Sequence, residues 1–357
     1  MRLASASTTG LRPIESRWRL PACRFCAPRP ALRTPRLDVV PPRALPAWAH
    51  GDEVEEGGDD HTCGYVALVG LPNAGKSTLS NRLLGQRYSI VTRKPNTTRQ
   101  RVLGIRTEGK SQLILLDTPG VVVKQNSLLD TSMMKAVTSA VSDADAILLI
   151  VDASDRPYDT IKLLRPPDGG GDVPVSVVLN KIDLIDERDL DELTRWIEDE
   201  KVAGASIATC GTTGEGTGEL LRWCMTHVPH GPWLYPEESI SDHPERFFVA
   251  EIVREKLIVQ YDEEIPYASH VTVSDFKERK KGKDYIAIEI AVERESQKKI
   301  LIGRNGGALK KLCTGARLDI EQFLMRPVYL EVNVKVKKDW RKSSADLRSL
   351  GLYESMQ

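Results

Sequence analysis

Residues 65–77, YVALVGLPNAGKS, admit very few folds. The apolar burst from Val66 to Val69 reads as a buried strand. The TLSNRLLG that follows reads as a helix with apolar positions at Leu79, Leu83 and Leu84. Between them stands Gly70-x4-Gly75-Lys76-Ser77, the phosphate-binding loop pattern. Glycines let a backbone curl until successive N–H groups face phosphate oxygens at the positive end of the next helix. The expected nucleotide contacts run from Gly70 through Asn73, Ala74 and Gly75 to Lys76, Ser77 and Thr78. Lys76 would bridge the terminal phosphates, and the Ser77 hydroxyl would bind Mg²⁺.

Three further segments follow in the order a guanine-nucleotide enzyme needs. Residues 113–120, LILLDTPG, read as a strand ending in Asp117, placed to hold the water shell of Mg²⁺. Gly120 is then free to offer its N–H to a γ-phosphate. Residues 145–152 (DAILLIVD) and 173–180 (VPVSVVLN) read as further short buried strands. The last runs into Asn180-Lys181-Ile182-Asp183. Asp183 can accept from both N1–H and N2–H₂ of guanine, a pair adenine cannot offer, while Asn180 and the Lys181 stem brace base and loop. This alternation predicts an α/β P-loop NTPase domain with a doubly wound, mostly parallel sheet and its ligand at the carboxyl ends of the strands.

Past Pro229 the texture changes. WLYPEESISDHPERF is rich in proline and acids and reads as a linker followed by a helix start. Residues 246–261 carry apolar residues at 248, 249, 252, 253, 257 and 259, largely one helical stripe. Residues 270–276 and 285–292 alternate as strands around the basic turn KERKKGKD, and 328–336 (VYLEVNVKV) reads as a terminal strand. Between two helical segments lies Gly303-Arg304-Asn305-Gly306. A G-x-x-G loop of this kind clamps four nucleotides of single-stranded RNA in K-homology domains, and a plain helix–helix turn is its commoner meaning. Lys298, Lys299, Lys310 and Lys311 flank it with charge.

Charge is informative only in its distribution, because 50 basic residues balance 50 acidic ones. Residues 277–348 hold 19 bases and 10 acids, a basic surface that would attract polyanions or a merely solvated lysine face. Residues 1–50 hold nine Arg, no Lys and two acids, with no long apolar core. That is the pattern of an organellar transit peptide, the alternative being an inert tail. Residues 51–60 carry six acids and read as a polar linker, so folded structure is expected near Tyr65. No apolar run approaches the roughly 18–20 residues of a bilayer-crossing helix. The six cysteines are too few for a disulfide scaffold, and the lone Cys23/Cys26 pair lacks a second pair at zinc spacing.

GLPNAGKST, PNTTR (95–99), DTPG and NKID together resemble the Era-type GTPases of the TRAFAC class. The likeness continues through HPERFFVAEIVREKL, IPYA, VERESQKKILIGRNG and the closing LRSLG, and is strongest to the plastid and organellar members. It implies a G domain over 61–230, a linker over 231–245, a type II K-homology domain of α+β architecture over 246–340, and a tail over 341–357. It implies GTP and GDP as ligands with Mg²⁺, held by Ser77, Thr98 and Asp117. Thr98, with Thr97 as the alternative, would close over the metal when the γ-phosphate is present, so that Lys76, Thr98 and Asp117 form the catalytic set. RNA contacts would come from Lys298, Lys299, Gly303, Arg304, Asn305, Gly306 and Lys310. Asn73 stands where relatives hold a monovalent cation, which suggests K⁺.

The implied role is a GTP-controlled switch that binds small-subunit ribosomal RNA and assists small-subunit assembly. It would act as a monomer in the chloroplast stroma, with the mitochondrion as the other site and a peripheral membrane contact as an option. A tRNA- or membrane-associated factor on the same core is the rival reading, expected to carry a different second half and, in the tRNA-modifying case, a catalytic cysteine. Two departures stand out. Cys210-Gly211 replaces the usual Ser-Ala that touches guanine O6, and Val121 stands where Ras-like enzymes place a water-orienting glutamine, which Val121 cannot imitate.

Overall fold

The computed structural model describes residues 60–350 and 352, apart from 87, 93, 95, 96 and 166–172. The expected leader, all but the last residue of the acidic linker and the Cys23/Cys26 pair lie outside the described residues. The first domain runs β1 (Thr62–Gly70), α1 (Lys76–Leu84), β2 (Val102–Glu108), β3 (Ser111–Asp117), α2 (Leu128–Asp143) and β4 (Ala146–Asp152). It continues with α3 (Pro157–Leu164), β5 (Val175–Asn180), α4 (Glu187–Asp199), β6 (Ala205–Thr209) and α5 (Thr217–His227). The strands form one sheet in the order β2-β3-β1-β4-β5-β6, parallel except for β2. β1 begins at Thr62, three residues before the expected start, because Thr62 to Gly64 pair with Ser111 to Leu113.

Alternate strand residues point to opposite faces, and both faces are covered, as a parallel sheet requires. One face, with Leu68, Leu115 and Leu148, packs on α1 and α5 through Leu79, Leu83, Leu220 and Cys224. The other, with Val69, Leu116 and Leu149, packs on α2, α3 and α4 through Val137, Ala140, Ile161, Leu193 and Ile197. β1 lies between β3 and β4, where the strand order reverses, so the loop after β1 opens into the crevice at the carboxyl ends.

The second domain runs α6 (Glu245–Gln260), the single turn α7 (Ile265–Ala268), β7 (His270–Lys277), β8 (Asp284–Val292), α8 (Glu295–Ile302), α9 (Gly307–Leu324), β9 (Val328–Val336) and α10 (Ser344–Ser349). β7 and β8 are antiparallel, and β8 and β9 parallel. Val249, Val253 and Leu257 of α6 and Leu312, Ala316 and Ile320 of α9 cover one sheet face, on Ile286, Ile288 and Ile290. The expected stripe on α6 needs one correction. Ile258 is buried and Val259 is 66% exposed, because the 3.6-residue period carries 249, 253 and 257 inward and turns 259 away.

The stretch read as a linker, 231–245, is laid along the antiparallel edge of the larger sheet. Tyr235 is buried and its carbonyl accepts from Gln112 Nε2 at 2.7 Å; Ile105 N donates to Ile240 O at 2.8 Å. Such a segment covers an edge strand that would otherwise leave backbone groups unpaired. The stretch read as a tail carries α10. Leu347, Leu350 and Leu352 close with the fully buried Trp340 on Leu129 and Met133 of α2, with Val122 beside them.

Candidate functional site

Five strands of the larger sheet end at one rim in Gly70, Asp117, Asp152, Asn180 and Thr209. Register sets Leu68 beside Asp117, Asp152 beside Asn180, and Asn180 beside Thr209. Parallel pairing thus gathers motifs that lie more than a hundred residues apart. The loop after β1 curls through Asn73 at φ 65° and Gly75 at φ 93°. A Cβ on Gly75 would lie 2.2 Å from Asn180 Nδ2, so glycine is demanded by both backbone and neighbour.

Lys76 is buried at the start of α1, and its Nζ donates to Gly70 O at 3.1 Å and Leu71 O at 2.9 Å. Burial pulls its pKa down to about 8, with the charge of Asp117 opposing. Asp117 is fully buried and neither carboxylate oxygen has a hydrogen-bond partner. Burial drives its pKa up, against the pull of the Ser77 hydroxyl, the Lys76 charge and Ser89. The Ser77 and Thr98 hydroxyls lie 3.1 Å apart, and Thr98 is buried where Thr97 is only half-buried. Hydroxyls and a carboxylate without donors make an all-oxygen set that suits Mg²⁺. The turn after Asp117 is locked to the phosphate loop: Val121 N donates to Gly70 O at 3.0 Å, and a Cβ on Gly120 would meet Pro72 at 2.8 Å.

At the other end of the crevice Asn180 acts as a brace. Its Nδ2 donates to Ala74 O at 2.8 Å, and its Oδ1 accepts from Gly211 N at 3.0 Å. The phosphate loop and the 210–214 loop are therefore pinned to one side chain. Lys181, at φ 66°, donates to Asp152 at 2.5 Å. Burial raises Asp152, yet Lys181 and Ser154 outweigh it and hold the carboxyl below its usual range. The Cys210 thiol donates to Asp183 Oδ1 at 3.0 Å. Gly211 leaves Thr78 just enough room, since an added Cβ would sit 3.2 Å from Thr78 Cγ2. Arg82 steadies the same loop through Thr212 O at 2.5 Å.

The PNTTR loop reaches the second domain. Arg99 is buried, donating to Ser269 O at 2.7 Å, Pro266 O at 3.0 Å and Tyr267 O at 3.1 Å, with its guanidinium 5.8 Å from the Trp340 ring centre. Lys94 donates to Ile258 O at 2.8 Å, Tyr261 O at 2.5 Å and Asp262 at 2.7 Å, capping the carbonyl end of α6. From there Tyr261 Oη donates to Leu301 O at 2.6 Å, and Gln260 Nε2 to Ala308 O at 2.7 Å. Those two carbonyls bracket Gly303 to Gly306.

The G-x-x-G loop is a tight turn into α9. Gly303 and Gly306 take φ 71° and 73°, and a Cβ on Gly303 would meet Ala308 Cβ at 2.6 Å. Arg304, Asn305, Lys299 and Lys310 are exposed and Lys298 is half-buried, beside the positive end of an 18-residue helix. Backbone donors and mobile cations are thus offered together.

Residues 65–181 match the family profile described as 50S ribosome-binding GTPase, and 264–341 match a KH domain. A rice protein (Oryza sativa subsp. japonica) named GTPase ERA-like, chloroplastic, is 46% identical over 89% of this chain and 77% of its own length. The GTPase Era of Geobacter metallireducens is 38% identical over 81% of this chain and 97% of its own length. A solved structure of Era with MgGDPNP and nucleotides 1506–1542 of 16S ribosomal RNA shares 36% identity at a TM-score of 0.77. It covers 82% of this chain and 99% of that one. The chain belongs to the Era family of GTPases.

As an Era GTPase it hydrolyses GTP, and its fold is the G domain followed by a K-homology domain that the sequence implies. The nucleotide residues expected from sequence all meet at one rim, while Arg304 and Asn305 stand apart, on the second domain. Arg99, Lys94, Asp152 and Arg82 were not foreseen. Arg99 follows directly on Thr98, but its partners are carbonyls 167 to 170 positions later, which no local pattern reveals.

Proposed function

We propose that this chain is a GTP-controlled switch whose effector loop governs RNA binding by the K-homology domain, and that it assists small-subunit ribosome assembly in the plastid stroma. The observation that carries this reading is the Arg99 clasp. Thr98 faces Ser77 in the nucleotide crevice, and the next residue is locked to the second domain by three hydrogen bonds. Any movement of the loop with the γ-phosphate pulls on α7 directly.

In this reading the loop N–H groups and Lys76 bind the phosphates, and Asp183 with Gly211 selects guanine. Ser77, Asp117 and Thr98 hold Mg²⁺, which supplies charge neutralisation at the β- and γ-phosphates. Val121 offers no polar atom to orient water, so intrinsic hydrolysis is slow. Asn73, exposed on the loop, holds K⁺, and hydrolysis runs faster in K⁺ than in Na⁺; equal rates would remove that assignment. The small-subunit RNA is favoured because the likeness to the RNA-bound Era spans both domains, whereas the profile described as 50S-binding covers the G half alone. A tRNA-modifying role asks for a reactive thiol. Among the described residues, burial instead pushes Cys63 up to about 11 and Cys224 up to about 12 and raises Cys313, while the Cys210 thiol is buried against Asp183. The protein acts as a monomer.

Sequencing RNA crosslinked to the protein in a plastid extract tests this. Reads concentrated near the 3′ end of the small-subunit RNA are expected. Reads concentrated on tRNA would overturn the assignment.

A further inference from the structure

Helices α6, α8 and α9 all pack on one face of the second domain's sheet. Trp340 lies over the other face at one end, against His270. At the opposite end, register sets Lys277, Tyr285 and Tyr329 side by side across β7, β8 and β9. The two tyrosine rings lie nearly parallel, 16° apart with centres 6.0 Å apart, and Lys277 Nζ sits 5.7 Å from the centre of the Tyr285 ring. Tyr329 is 56% exposed on the edge strand, so much of its ring is open to solvent. The acids on this face are already engaged: Asp275 with Lys277, Glu331 with the Tyr285 hydroxyl, and Glu289 with Lys335 and Lys337. Beside the ring pair, the hairpin that joins β7 to β8 presents Arg279, Lys280, Lys281 and Lys283, all exposed, while its one acid, Glu278, pairs with Arg326.

We propose that Tyr329, Tyr285 and the 277–283 hairpin form a second contact for single-stranded RNA, a stacking platform distinct from the G-x-x-G loop. Exposed aromatic faces on a sheet stack bases without regard to sequence, and adjacent cations take the phosphates. The occupant is a polyanion with flat rings, because four exposed cations of the hairpin stand beside the ring pair. This surface extends the RNA-binding reading above and is separable from it in space. α9 runs about 27 Å from the G-x-x-G loop to the turn before Tyr329, so a strand that fills the loop's four-nucleotide clamp does not reach the platform.

The test is anisotropy titration of the full chain with two RNA oligomers, one of about four nucleotides and one of about 16. Tyr329→Ala is expected to weaken the longer RNA by about tenfold, to leave the shorter one unchanged, and to be rescued by Tyr329→Phe, which keeps the ring. Lys280→Glu with Lys281→Glu should weaken the longer RNA and reduce its salt dependence. Equal affinity of the longer RNA for parent and Tyr329→Ala would overturn the platform, as would a parent that binds both lengths equally. If longer-RNA affinity is unchanged but association with small subunits is lost, the face belongs to a protein contact and the proposal falls. Arg304→Asp with Asn305→Asp separates the two readings: loss of the short oligomer belongs to the G-x-x-G loop alone. Unaltered binding of the short oligomer by the tyrosine variants shows that their second domain folds.

Discussion

Asp183 and Lys76 each make one chemical demand that a single substitution exposes. Asp183 receives a thiol hydrogen bond from Cys210, and in the proposed reading its carboxylate accepts two guanine donors. Asp183→Asn replaces one acceptor with a donor, so GTP should bind roughly a hundredfold more weakly and xanthosine triphosphate should gain. Competition binding with the two nucleotides checks this, and unchanged GTP affinity would remove Asp183 from base recognition. In the proposed reading Lys76 holds phosphate as the ammonium form, and burial has brought its pKa to about 8. Below that pH the charge is already present. Above it the lysine must take up a proton to bind, so GDP affinity should fall between pH 7 and 9, approaching tenfold per unit beyond pH 8. Lys76→Arg, always charged, should show a flat profile over the same range. A parallel decline in both proteins would assign the effect to another group.

At the scale of elements, the clasp between the effector loop and α7 rests on one buried side chain, Arg99. Arg99→Ala would leave three carbonyls without a donor in a buried setting and should cost about 3 kcal/mol. Trp340→Ala would open a cavity between α10, β7 and α2 and should cost about 3–5 kcal/mol. Urea unfolding measures both, and a loss under 1 kcal/mol for Arg99→Ala would mean that the loop detaches freely. These elements also mark the limit of what the sequence reveals. The central strands were legible, since β1, β3, β4 and β5 are continuous apolar runs that end in chemistry-bearing motifs. β2 (VLGIRTE) and β6 (ASIAT) were not, because edge strands mix polar and small residues and take their conformation from neighbours. α10 was equally hidden: SADLRS has almost no apolar periodicity, and the Ser343 cap together with packing on Trp340 and α2 makes it a helix.

At the scale of the whole molecule, the nucleotide crevice and the G-x-x-G loop are joined by a short chain of contacts. It runs from Thr98 and Arg99 to α7, and from Lys94 through Tyr261 to Leu301. In the proposed switch this loop couples the two sites, and such a coupling acts equally in both directions. Arg304→Asp with Asn305→Asp should abolish short-oligomer binding and leave GTP binding intact, since the substituted turn belongs to the other domain. Joint loss of both would indicate unfolding. The deciding measurement is the affinity of small-subunit RNA in the presence of a non-hydrolysable GTP analogue and of GDP, beside the affinity of each nucleotide with and without RNA. The parent should show an RNA affinity ratio of at least about fivefold, with the same factor returned in the nucleotide affinities. Lys94→Ala with Arg99→Ala should bring both factors close to one while nucleotide and RNA still bind separately. A ratio of one in the parent, or an undiminished ratio in the double variant, would contradict a switch transmitted through this loop.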